Sequence, residues 1–222
     1  MSDEQAKKLI VQIGKKMYLR QFVAANDGNI SCRVGANELW TTPTGVSKGD
    51  LEEGMLVKTD MAGKRLEGTY QPSSELKMHL ALYRENSEIM GVVHAHPSVA
   101  TAFSVVHCPL DIPVMTEAIL QLGSVPVAEY ALPGTQELAE SVVPYSHSNQ
   151  ALLLANHGAL AWGKTLQAAY FNMETLEQYA LILSHLGYLR QKTAVCLTPD
   201  QIEALEEIAE KMGLRFEQGS NT

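Results

Sequence analysis

The chain has 222 residues, of which 45% are hydrophobic and 19% charged, and its formal net charge is −8. This length suffices for one sizeable hydrophobic core, so we expect a single domain spanning residues 1–222. The acidic balance argues against a nucleic-acid or anionic-membrane surface, both of which need clustered Lys and Arg, and favours a small-molecule partner. Three widely spaced cysteines, no secretory leader and no apolar run of membrane length predict a reduced, cytoplasmic protein.

Amphipathic spacing predicts a helix as the first element. Within residues 3–25, one face carries the apolar side chains Ala6, Leu9, Ile10, Ile13 and Met17. The Asn-Asp-Gly-Asn cluster at 26–29 ends this helix, and residues 30–34 and 38–42 predict a β-hairpin. The hairpin is flanked by two loops that could form an anion-binding nest, although ordinary turn chemistry accounts for the same residue types. These loops contain Gly28 with Asn29, and Thr44 with Gly45.

A second hairpin and a helix follow. Residues 55–59 and 65–67 predict the two strands of the hairpin. The helix begins near residues 71–76, with a serine as N-cap, an acidic residue in its first turn, and a buried face. That face consists of Leu76, His79, Leu80 and Tyr83. Ser73 and Ser74 could instead hold a phosphate group at the helix N-terminus while Glu75 acts as a base, but the capping interpretation is the simpler one for this motif alone.

A pair of histidines in an apolar strand gives the strongest chemical signal. His94 and His96 are two residues apart in the run Val-Val-His-Ala-His-Pro, so both imidazoles lie on one face of the strand. A second apolar strand, residues 152–156, delivers His157 where the chain turns at Gly158. Three neutral imidazoles with one open position are typical of a catalytic zinc site. We interpret the four remaining histidines as hydrogen-bonded core or surface residues: His79, His107, His147 and His185.

The rest of the chain alternates short strands with helices. Pro97 opens a short helix through Phe103, whereas residues 112–122 fit either a strand or a helix. Residues 125–128 predict a short strand, and residues 136–145 predict a helix. Thr165 caps the longest helix, and Thr198-Pro199 opens the last one, which ends at Gly213. This order lacks a regular βαβ rhythm and predicts an α/β layered fold around a mixed, largely antiparallel sheet.

Five motifs together resemble the class II aldolase/adducin family. They stand in the family's order and at nearly its spacing, and the resemblance covers almost the whole chain. They are Gly-Asn-Ile-Ser at 28–31, Thr-Pro-Thr-Gly at 42–45, Pro-Ser-Ser-Glu at 72–75, His-Ala-His at 94–96 and Asn-His-Gly at 156–158.

The resemblance implies a fold, an assembly and an activity. The fold is a three-layer α/β/α sandwich, assembled as a homotetramer with active sites at subunit interfaces. The activity is the reversible, zinc-dependent cleavage of a ketose 1-phosphate, similar to L-fuculose 1-phosphate, into dihydroxyacetone phosphate and an aldehyde. Glu75 is the implied acid/base, and the implied zinc ligands are His94, His96 and His157. The implied phosphate-binding residues are Gly28, Asn29, Thr44, Gly45, Ser73 and Ser74.

Two positions depart from the pattern of fuculose-phosphate-cleaving members. These members carry a tyrosine after Ile-Pro-x-x-His, where this chain has Glu117, and a second tyrosine before Gly-Leu-Arg, where it has Met212. Two other functions stay open within the family. A sugar-phosphate 4-epimerase typically has aspartate at position 75 and a further histidine after the pair, so Glu75 and Pro97 favour the aldolase. A non-catalytic module like the adducin head resembles this fold without its zinc ligands, and the three histidines count against it.

Overall fold

The computed structural model describes residues 1–187 and 197–211. Its strands are β1 (Asn29–Arg33), β2 (Glu38–Thr41), β3 (Val57–Asp60), β4 (Arg65–Glu67), β5 (Gly91–Ala95), β6 (Val127–Ala128), β7 (Ala151–Leu154) and β8 (Gly158–Gly163). Its helices are α1 (Asp3–Leu19), α2 (Leu76–Glu85), α3 (Ser98–Val105), α4 (Thr116–Gln121), α5 (Gln136–Ser141), α6 (Leu166–His185) and α7 (Pro199–Lys211). Within this part of the chain, no helix has both the length and the apolar character needed to cross a bilayer.

The eight strands form one sheet in the order β4-β3-β2-β1-β5-β8-β7-β6. Neighbouring strands pair antiparallel except β6 and β7, which are parallel. One face packs against α1, α3, α4 and α6, and the other packs against α2 and α5. The predicted three-layer α/β/α sandwich around a mixed, largely antiparallel sheet is therefore confirmed.

The first helix is shorter than the sequence pattern suggests. It ends at Leu19 rather than continuing to residue 25, and Gln21 then takes a positive φ of 58° that stops helical hydrogen bonding. The chain turns back so that Phe22 is buried and its carbonyl accepts the backbone N–H of His96 at 2.9 Å. Burial of Phe22 thus outweighs the helical pattern and brings the 26–29 loop to the end of β5.

The predicted serine cap of α2 is wrong. The helix begins at Leu76, its N-cap residue is Glu75, and the cap makes no side-chain hydrogen bond to the helix. Ser73 Oγ accepts the backbone N–H of Glu75 at 3.3 Å instead. The Glu75 carboxylate is therefore not occupied at the helix N-terminus.

Three other segments refine the predictions. The ambiguous run at 112–122 becomes extended chain followed by the short helix α4. Only Val127 and Ala128 of the predicted 125–128 strand pair with β7, and α5 ends at Ser141 before a 3-10 turn that contains Pro144. Gly213 and Met212 lie outside the described residues.

Lys58 on β3 joins the N-terminus to the edge of the sheet. Its Nζ lies 2.8 Å from Glu38, 3.0 Å from Asp3 and 3.4 Å from Glu67, although only 9% of its side chain is exposed. Opposite charges satisfy the ammonium in its buried position. This lysine has a structural role, because β2 and β1 separate its strand, β3, from the strand β5 that carries His94.

His79 on α2 is a fully buried core residue. Its Nδ1 is 2.7 Å from Ser31 Oγ, which in turn lies 2.9 Å from the hydroxyl of Tyr83. Burial lowers the pKa of His79 to about 3, so the imidazole is neutral in the folded protein.

The buried His79 makes stability depend on pH. Below its unfolded pKa of about 6.5 the unfolded chain binds a proton that the folded chain excludes, so stability falls as pH falls from there towards about 3. Between about pH 8 and about pH 5.5 this cost is about 1.4 kcal/mol. His79→Asn keeps a polar partner for Ser31 and does not titrate. Urea unfolding of metal-free protein at both pH values should show a smaller loss for the variant, and equal losses would contradict this account.

Candidate active site

The three predicted metal ligands meet at one point. His94 lies in β5, His96 just beyond its end, and His157 in the turn between β7 and β8. Their ring centroids are 4.8–5.0 Å apart, and one nitrogen from each ring lies within 4.8 Å of the others. The predicted same-face arrangement of His94 and His96 is present, because their Nε2 atoms are 3.2 Å apart.

Hydrogen bonding and burial keep these rings neutral, with nitrogen lone pairs available to bind a cation. His94 Nδ1 donates to the carbonyl of Ala159 at 2.9 Å, which leaves the Nε2 lone pair facing the cluster. Burial lowers the pKa of His94 well below its usual value and that of His157 to about 3, so both rings are neutral. Neutral imidazole nitrogens converging on one point fit a divalent transition metal such as zinc.

Glu75 faces the same point. Its Oε1 lies 3.3 Å from Nε2 of His157, and its Oε2 lies 3.4 Å from Nε2 of His94. Asn29 donates its side-chain amide to Oε2 at 2.9 Å, a contact made possible because Asn29 pairs with His94 across β1 and β5. Among the described residues, Oε1 is buried without a hydrogen-bond partner. Asn29 thus fixes the orientation of the carboxylate through Oε2, and Oε1 remains available to bind a ligand or a proton.

Two glycines allow the backbone to approach the histidines. Gly28 has φ of 72°, and a Cβ there would lie 2.7 Å from the carbonyl oxygen of His94. At Gly158 a Cβ would lie 2.6 Å from both the Ala95 carbonyl oxygen and Cδ2 of His96. The sequence predicted that the chain turns at Gly158, but the turn lies at residues 155–157, with Asn156 at a φ of 56°. Gly158 therefore provides close packing and not the turn itself.

All six predicted phosphate-binding residues line one cleft beside this cluster. Its volume is ≈ 560 Å³, and the loops 26–29, 43–45 and 73–75 form part of its wall. The second and third loops are joined by backbone hydrogen bonds from Thr44 to Gln71 and from Ser73 to Thr42. The structure thus brings together Gly28, Asn29, Thr44, Gly45, Ser73 and Ser74 with Glu75, His96 and His157.

Several cleft residues were missed from the sequence. The Asp27 carboxylate lies 3.5 Å from His96 Nδ1, and its position next to Gly28-Asn29 was the available signal. The role of Asn29 in holding Glu75 depends on strand register, which the motif alone does not give. Other missed residues that line the cleft lie far away in sequence: Pro133, Gly134, Leu205, Ile208 and Lys211.

The other histidines lie elsewhere, as predicted. His107 contacts the side-chain oxygen of Asn156 at 2.7 Å, and His147 lies 3.6 Å from Glu85. His185 is exposed at the end of α6. Glu117 is exposed in the first turn of α4 and does not line this cleft.

Known proteins resemble this chain along most of its length. Residues 8–184 match the family model described as Class II Aldolase and Adducin N-terminal domain. The chain is 34% identical to a 3-oxo-tetronate 4-phosphate decarboxylase of Pectobacterium atrosepticum, covering 92% of this chain and 94% of that protein. It is 37% identical to an L-fuculose phosphate aldolase of Methanococcus vannielii, covering 81% and 95% respectively.

A solved structure named L-fuculose 1-phosphate aldolase superposes with a TM-score of 0.79 at 31% identity, covering 96% of this chain and 99% of that one. The shared sheet, the length of the matches and the match to the family model agree with one another. The chain therefore belongs to the class II aldolase and adducin family.

Proposed function

We propose that this protein is a zinc-dependent lyase that cleaves a carbon–carbon bond near the ketone of a phosphorylated sugar. The observation that carries the proposal is the Glu75 carboxylate, which lies 3.3–3.4 Å from two of the three clustered imidazoles. A base beside a cation site can manage the proton of a reaction whose intermediate is an enediolate. The proposed zinc ligands are His94, His96 and His157.

The relatives suggest which part of a substrate this site would hold. L-fuculose 1-phosphate and 3-oxo-tetronate 4-phosphate share one fragment, a phosphorylated methylene, a ketone and a hydroxylated carbon. Cleaving the next bond releases an aldehyde from the first compound and carbon dioxide from the second. Both reactions leave the same enediolate, whose protonation gives dihydroxyacetone phosphate. One site built for this fragment could therefore serve either reaction.

Each part of the cleft has a role in this proposal. Zinc would supply Lewis-acid stabilisation of negative charge at the ketone oxygen. The loops containing Gly28, Thr44 and Ser73 bind the phosphate and fix the reacting carbon beside Glu75. Asn29 holds one oxygen of Glu75, and the other delivers a proton to the enediolate carbon. In retro-aldol cleavage this proton is replaced by the one that the substrate hydroxyl loses as the aldehyde forms, and in decarboxylation by one from solvent.

Retro-aldol cleavage of a ketose 1-phosphate is the primary candidate. Glu75 supports it over the family's 4-epimerase chemistry, and the three histidines support it over a non-catalytic module. Decarboxylation is the second candidate, because the match to the decarboxylase covers 92% of this chain at 34% identity. The two candidates differ in the leaving group rather than in the residues that hold the shared fragment.

The proposed assembly is a homotetramer with active sites at subunit boundaries. Its support is the family membership together with apolar side chains exposed on the outer helices. These are Tyr18, Leu19, Ile119, Leu120 and Phe171.

Metal binding provides the first test. Elemental analysis should find about one zinc ion per chain in the wild type. His94→Ala and His157→Ala should each lose most of this metal and the activity, because either change removes one of three ligands. His147→Ala is the control, because this exposed histidine lies outside the cluster. Undiminished zinc in either ligand variant would refute the assignment.

The second test concerns Glu75. Glu75→Gln preserves shape and can still interact with Asn29 but cannot transfer a proton, so we expect kcat to fall by about 10²- to 10⁴-fold with zinc content unchanged. Glu140→Gln, at an exposed position on α5, should retain full activity. A near-normal rate for Glu75→Gln would show that another group carries the proton.

The third test separates the two reactions. Zinc-loaded protein is given several ketose 1-phosphates, including L-fuculose 1-phosphate, and separately 3-oxo-tetronate 4-phosphate, and dihydroxyacetone phosphate release is measured. We expect cleavage of several ketose 1-phosphates with weak discrimination between aldehydes, because Glu117 replaces the family's tyrosine. Turnover of 3-oxo-tetronate 4-phosphate alone would select decarboxylation. An exclusive preference for the fuculose ester would show that this replacement is silent.

A further inference from the structure

Lys48 is a buried cation with no role in the chemistry described so far. Only 1% of the residue is exposed, and burial lowers the pKa of its ammonium to about 8. Its Nζ donates to the carbonyl oxygens of Asn26 at 2.9 Å and Val46 at 2.7 Å. A lysine is seldom buried without a specific reason, since removing its charge from water is costly.

The two acceptors of Lys48 belong to two different loops of the cleft. Asn26 lies two residues before Gly28, and Val46 directly follows Gly45. Gly28 and Gly45 have positive φ values of 72° and 74°. Glycine adopts this left-handed backbone conformation more readily than other residues, so each loop depends on its glycine for its shape. The ammonium thus connects the 26–28 loop to the 44–46 loop from behind the cleft.

This connection completes the wall formed by the three loops. The 42–45 and 71–73 segments are already joined by main-chain hydrogen bonds from Thr44 and Ser73. The ammonium of Lys48 links the remaining loop, 26–28, to this pair. Lys48 does not line the cleft itself, so its positive charge lies behind the wall. The wall residues include two acids, Asp27 and Glu75. These two acids would repel a phosphate dianion that enters the cleft, and a fixed positive charge nearby would offset part of this repulsion.

We propose that Lys48 is a positioning residue that sets the affinity of the cleft for the phosphate group of its ligand. It acts by fixing the 26–28 loop against the 44–46 loop and by placing a positive charge behind them. The proposal rests on the proposed function, because the loops are phosphate-binding only within it. Lys48 does not touch the reacting atoms, so its effect falls on binding of phosphorylated ligands rather than on proton transfer.

The test compares dihydroxyacetone phosphate with dihydroxyacetone, which lacks only the phosphate. Calorimetry on zinc-loaded protein gives the Kd of each. The wild type should bind the phosphate ester more tightly than the free ketone. Lys48→Met has similar volume but neither charge nor hydrogen bonds, and should weaken binding of the ester by about tenfold or more while leaving that of the ketone nearly unchanged.

Lys58→Met is the matched control for loss of a buried lysine. Lys58 is also largely buried and ion-paired but lies away from the cleft, so this variant should change stability and leave the Kd of the ester unaltered. If Lys48→Met does not fold, Lys48→Gln replaces it, because the amide retains hydrogen-bond donors. Zinc content should be unchanged in the Lys48 variants, which separates this role from ligation.

The outcomes distinguish the two levels of the proposal. If the wild type prefers the phosphate ester and the Lys48 variant retains that preference within twofold, the role of Lys48 is refuted and the proposed function stands. If the wild type binds the ester no more tightly than dihydroxyacetone, the phosphate site itself is wrong and both proposals fail.

Discussion

The burial of the Glu75 carboxylate beside two of the three clustered imidazoles is the constraint on which the rest of the site depends. The side chain of Glu75 is only 12% exposed. Among the side chains of the cleft loops, its hydrogen-bond donor is the amide of Asn29. The neighbouring rings of His94 and His157 are held neutral by burial and cannot balance its charge. A divalent cation at the ring nitrogens would satisfy the carboxylate and the imidazoles at once.

The sheet explains why these groups meet. β1, β5 and β8 are adjacent central strands, and they place Asn29, His94 and the turn bearing His157 at the same end of the strands. Gly28 and Gly158 let the backbone pack against His94 and His96 at distances that a Cβ would prevent. Glu75, just before the start of α2, lies at this same end of the strands. The site is therefore built mainly on rigid elements, and the loops add the proposed phosphate wall.

The histidine site could be predicted because strand periodicity and a repeated strand-end motif are local signals. The core face of α1 followed from hydrophobic spacing, and the sheet type followed from the order of strands and helices, which lacks a regular βαβ rhythm. The end of α1 could not be predicted, because burial of Phe22 outside the helix outweighs the helical pattern. Glu75 as N-cap, the register that brings Asn29 to Glu75, and Lys48 behind the loops all depend on long-range contacts that no single motif contains.

The two candidate reactions share a single chemical requirement, protonation of the enediolate of dihydroxyacetone phosphate beside Glu75. The most direct measurement is therefore hydrogen exchange into dihydroxyacetone phosphate in D₂O, followed by NMR with zinc-loaded protein and no aldehyde present. The account predicts incorporation of one deuterium at the hydroxymethyl carbon, with one stereochemistry, and loss of this exchange in Glu75→Gln. Absence of exchange in a wild-type protein that binds dihydroxyacetone phosphate would contradict the account.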